Sequence, residues 1–75
     1  MKLKNVKVGQ RVQVKDLNEP TLVEYRFSRH KLDLNDVLTC TRNGLDIDGH
    51  VRLCIEDDGE VWYYYTTPEN LRKVK

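Results

Sequence analysis

Two cysteines, Cys40 and Cys54, flank His50, and His30 lies upstream. Thiolate and imidazole are the groups that hold zinc, but Cys-x9-His-x3-Cys is not a zinc spacing, and a structural site is closed by a complete tetrahedral ligand set. The cysteines sit symmetrically about Ile47. Strands paired about a hairpin centred there would set the sulfurs opposite each other, open to a disulfide or half a metal site. Two cysteines are too few to staple a chain. The expectation is two free thiols packed as small apolar groups in a reducing compartment. Asp46-Ile47-Asp48-Gly49 has the acidic start of a calcium loop without its further ligands and terminal Glu. His30 with Asp33 has the makings of an acid–base pair, though a solvated loop histidine is far commoner. No nucleophile elbow, phosphate-binding glycine loop or paired-histidine metal motif occurs. These residues predict no enzyme, no metal and no cofactor.

Charge and aromatic character are more informative. Residues 1–15 hold Lys2, Lys4, Lys7, Arg11 and Lys15 and no acid, and residues 71–75 add Arg72, Lys73 and Lys75. Residues 44–70 hold Asp46, Asp48, Glu56, Asp57, Asp58, Glu60 and Glu69 against one base, Arg52. If the first and last strands are neighbours, Lys4, Lys7, Arg11, Lys15, Arg72 and Lys73 merge into one patch that could contact phosphates. The plainer role for such lysines is to guard a sheet edge. Val61-Trp62-Tyr63-Tyr64-Tyr65 is the most unusual run. Alternation sends Val61, Tyr63 and Tyr65 one way and Trp62 and Tyr64 the other. Val61 and Tyr63 are expected to lean inward, leaving Trp62 and Tyr64 as partner contacts, since exposed Trp and Tyr are enriched at hot spots. Tyr25 and Phe27 either join that surface or fold over it.

The elements that would position these groups read mainly as strands. Val12 and Val14 alternate with polar residues over Gln10–Lys15. Residues 16–35 have no clean period and read as a long folded-back loop, most strand-like over Leu22–Phe27. Asp36–Arg42, His50–Glu56 and Glu60–Thr66 are rich in β-branched and aromatic residues. Leu45–Ile47 is a hairpin tip between Asn43-Gly44 and Asp48-Gly49, and Asp58-Gly59 is a tight hairpin turn. Thr67–Leu71 reads as one helical turn, Thr67 capping it and Pro68 at its first position. Arg72–Lys75 closes the sheet as a last short strand.

This order resembles the Src-homology-3-like barrel, a fold that also occurs in bacterial and phage proteins: strand, long loop, strand, medium loop, strand, tight turn, strand, one helical turn, short strand. Asp57–Leu71 carries most of the likeness, and Lys7–Val14 looks like the opening strand of many bacterial and phage small barrels. The resemblance implies an all-β domain with five strands. Peptide-binding members have an Ala-Leu-Tyr-Asp-Tyr-like first strand and paired tryptophans. Val12-Gln13-Val14-Lys15-Asp16 and His50-Val51-Arg52 stand in those places, so polyproline recognition does not carry over.

The 75 residues read as one domain, 1–75, with a lead-in over 1–9. A chain this short buries only about 60–65% of its unfolded surface, which leaves little wall for a catalytic cleft. With net charge +1 and 39% apolar residues it is neither strongly basic nor disordered by composition. No apolar run suits a signal peptide or a membrane span, so the expected place is the cytoplasm. The expected function is a non-catalytic binding module, either a protein–protein interaction domain or a phage-encoded accessory domain that modulates a host protein, as a monomer or weak homodimer. The alternative is a nucleic-acid-binding barrel that uses the basic terminal strands.

Overall fold

The computed structural model describes residues 5–24 and 32–74. Alternation fixes the strands. In β1 (Arg11–Val14) the valines are buried and Arg11 is exposed. The two-residue β2 (Val23–Glu24) comes from the expected strand-like part of the long loop. Then follow β3 (Leu38–Cys40), β4 (Val51–Asp57), β5 (Glu60–Thr66) and β6 (Leu71–Lys73). The five expected strands are therefore present, and β2 adds a short sixth. Tyr25, Phe27 and His30 lie outside the described residues.

All pairings are antiparallel, in the order β2-β5-β4-β3-β1-β6. The first and last strands are neighbours, as expected. The ladder ends at β2 and β6, so the sheet is not closed into a barrel; β2 and β6, two and three residues long, form its edges. The sheet nevertheless curls. Six strands about 4.8 Å apart would lie flat as a wide, thin layer, whereas the molecule measures 29 × 24 × 23 Å. Curling gathers Val12, Val14, Leu38, Cys40, Val51, Leu53, Tyr64 and Leu71 into one core, flanked by Leu22, Leu32, Ile55 and Trp62.

Turns obey local chemistry. Asp58 and Gly59 both have positive φ, 53° and 79°, as a two-residue hairpin turn with the twist of its strands requires. This sets Asp57 opposite Glu60 and every pair above it. The helical turn is a 3-10 turn, Pro68–Asn70, with Pro68 at its start. Thr67 precedes it without a side-chain capping bond, which corrects the expected cap. Asn70 has the stitching role instead. It is buried, donates to Asp16 O (3.0 Å) and Thr66 Oγ1 (3.2 Å), and accepts from the Asp16 N–H (2.9 Å).

The expected symmetry about Ile47 is one residue out. Thr39 lies opposite Cys54, and Cys40 opposite Leu53. A one-residue shift moves a side chain to the other face. Cys40 therefore packs in the core, Cys54 stands on the outer face, and both are free thiols.

Candidate functional site

The facing of β5 follows from its pairing with β4. Val51 and Leu53 point into the core, and their partners Thr66 and Tyr64 do the same. Trp62, opposite Ile55, is half-buried against that core. The expected facing is thus reversed. Tyr64 is 3% exposed, whereas Tyr63 and Val61 are 41% and 46% exposed. Tyr64 and Trp62 therefore lie on the core side, and Val61 and Tyr63 on the outer face. The missing step was available in the sequence: a two-residue Asp58-Gly59 turn places Tyr64 opposite Leu53, a residue already read as apolar and alternating.

The outer face carries His50, Arg52 and Cys54 from β4 and its approach, and Val61, Tyr63 and Tyr65 from β5. Exposed Val23 of β2 lies opposite Tyr65. Tyr65 has two ring contacts on this face. The Arg52 guanidinium lies 5.2 Å from its ring centroid, and the His50 ring stacks at 5.4 Å. Arg52 Nε in turn donates to Asp46 Oδ2 at 2.8 Å. A hollow of about 210 Å³ opens here, lined by Thr41, Arg52, Leu53, Tyr63 and Tyr64.

Asp46, expected only as part of an incomplete acidic loop, is the support of this corner. Its Oδ1 accepts from the Asp48 and His50 N–H groups, both at 2.9 Å, and its carboxylate is buried. Burial pushes the carboxyl's pKa up. The His50 amide, the Arg52 guanidinium and the Asp48 amide together outweigh burial and hold it below the usual range. Asp46, Asp48 and His50 offer donor atoms within 4.8 Å of one another. Both Asp46 oxygens already serve the backbone and Arg52, so Asp46 acts as a loop clasp. It presents Ile47 at the loop tip, 99% exposed.

Lys7, Arg11, Lys15, Arg72 and Lys73 are all exposed, and pairing of β1 with β6 brings the two basic segments together. Lys7 and Lys73 line one hollow. Gln13 lies opposite Arg72. Lys4 is outside the described residues. Among the described residues no helix is long and apolar enough to cross a membrane. Comparison with protein-family models, curated proteins and solved structures finds no match to this chain.

Proposed function

We propose that the chain is a non-catalytic module of the Src-homology-3-like type that captures a protein partner on the outer face of β4 and β5. The likeness in element order supports the barrel type: a long loop after β1, a tight turn between β4 and β5, and a 3-10 turn before β6. One observation carries the contact face. Val23, Val61 and Tyr63 stand exposed beside an Arg52–Tyr65–His50 stack that is already ordered. Tyr and Arg dominate binding hot spots, and a side chain fixed before binding loses less entropy on contact. Glu56, Asp58 and Glu60 are exposed at the β4–β5 turn. The fitting partner presents an apolar anchor beside basic residues.

The test is affinity capture with the wild-type chain and with the double variant Val61→Ser, Tyr63→Ala, followed by measured affinity for any captured protein. The expected result is one partner bound by the wild type and weakened by about tenfold or more in the variant, with amide spectra showing the fold intact. Equal affinity for both chains would remove this face from consideration.

A further inference from the structure

We propose that the hollow between the lead-in and β6 is an oxyanion site that takes a phosphate group. It is independent of the protein-contact face. Asn5, Lys7, Val8, Gln10 and Lys73 line an open hollow of about 470 Å³. Both lysines stand on ordered backbone. The lead-in is held by the Gly44 N–H to Val6 O (2.9 Å), the Val8 N–H to Asn43 Oδ1 (2.8 Å) and the Gly9 N–H to Cys40 O (2.8 Å). On the other wall, Lys73 lies opposite Val12, and the Val74 N–H reaches Arg11 O at 3.0 Å.

The pairing of β1 with β6 therefore forces two cations to share one hollow. Residues 5–15 and 71–74 contain no carboxylate. Neither lysine makes an ion pair among the described residues. Like charges held together raise the local potential, and an anion between them relieves it.

Gln10 borders the hollow and is half-buried. A phosphate carries more charge and more acceptor oxygens than a carboxylate, so one group can accept from both lysines at once. Exposed Arg11 and Arg72 continue the positive strip beyond the hollow. The same phosphate chemistry can thus come from a free phosphate ester or from a polynucleotide backbone.

The experiment is an amide NMR titration of the whole chain with inorganic phosphate, with sodium chloride of equal ionic strength, and with a short single-stranded oligonucleotide. Phosphate should give saturable shifts at Asn5, Lys7, Gln10 and Lys73 that chloride does not. Lys7→Gln and Lys73→Gln should each weaken binding about tenfold, as loss of a charge-assisted hydrogen bond does, with the urea midpoint unchanged. If the source is a polynucleotide, the oligonucleotide binds more tightly than phosphate, also moves Arg11 and Arg72, and weakens steeply with salt. If it is a small phosphate ester, the oligonucleotide binds no better than phosphate itself. Identical shifts with chloride and phosphate, or full phosphate binding by the Lys7→Gln, Lys73→Gln double variant, would overturn the site. The Val61→Ser, Tyr63→Ala variant should keep its phosphate shifts, so failure of one surface leaves the other standing.

Discussion

The β4–β5 hairpin has two faces made from much the same residues, and they meet different fates. Trp62 and Tyr64 lie on the inner face, opposite Ile55 and Leu53. Tyr63 and Tyr65 lie on the outer face with Arg52 and Cys54. The inner face also buries a polar residue, Thr66, fully out of contact with water. It is tolerated because its hydroxyl meets Thr21 Oγ1 at 3.1 Å and Asn70 Nδ2 at 3.2 Å, since a buried polar group costs little once paired. Residue type therefore does not decide which side is core. Cross-strand pairing does: a tyrosine opposite Leu53 is buried, and the identical tyrosine one position earlier is presented to solvent.

The sharpest way to break this comparison is to truncate the two tyrosines in turn. Tyr64→Ala should cost about 3–5 kcal/mol, the usual range for removing a buried aromatic ring. Tyr63→Ala should cost less than about 1 kcal/mol, as at most exposed positions. Urea midpoints at constant slope report both. For a domain this small the first loss is close to the whole stability, so unfolding of Tyr64→Ala in water is an acceptable form of the same result. Similar midpoints for the two variants would mean that the two faces do not differ in burial, and a reversed order would mean that they have been exchanged.

Asp46 gives the next largest effect. Asp46→Ala removes the acceptor of Arg52 Nε and of two N–H groups, at a cost of about 2–3 kcal/mol. The pH dependence has a definite sign. The folded carboxyl's pKa is depressed, so its contribution is fully present above the unfolded aspartate value of about 3.9. It is lost as pH falls through the lower folded value. Wild-type urea midpoints should decline below about pH 4 more steeply than those of Asp46→Asn. Parallel acid profiles would show that the clasp does not depend on charge. Loosening the clasp should also free Arg52 from Tyr65, so partner affinity on the outer face should fall with it.

Much of the fold was legible because it is written in local rules. Alternating valines, the Asp58-Gly59 turn and Pro68 after Thr67 each act over a few residues, and the strands appear where those signals lie. The facing of β5 is not set by residue type but by the register that the Asp58-Gly59 turn carries across to Leu53. The cysteine register failed for a different reason. The Asp46 N–H bonds His50 O at 2.8 Å, and the Gly49 N–H bonds Asp46 O at 3.0 Å. These bonds close the loop tightly around Asp46, so the strands do not pair symmetrically about Ile47. No spacing rule announces a carboxylate that collects two amides and a guanidinium. The cationic hollow lies between these cases, since its charges were visible but the adjacency of β1 and β6 came only from the likeness to a known barrel.

The smallest effect tests whether the inner–outer division continues into β3 and β4. Burial pushes both thiols above the ordinary cysteine range, with nearby Cys54 adding to the shift of Cys40 and Glu56 to that of Cys54. A raised folded pKa stabilises the protein below the unfolded value of about 8.5, and that contribution is lost as pH rises through the folded value. The native protein should therefore lose some stability above about pH 8.5, and Cys40→Ala should lose less over the same range. Thiol labelling at neutral pH gives the geometric version of this test. The thiolate is the reactive form, and access controls it, so outer-face Cys54 should label slowly and core-facing Cys40 only on unfolding. Equal rates in the native state would place both sulfurs on one side of the sheet. That would restore the symmetric register about Ile47 and remove the basis for reading Tyr63 and Cys54 as neighbours on a common outer face.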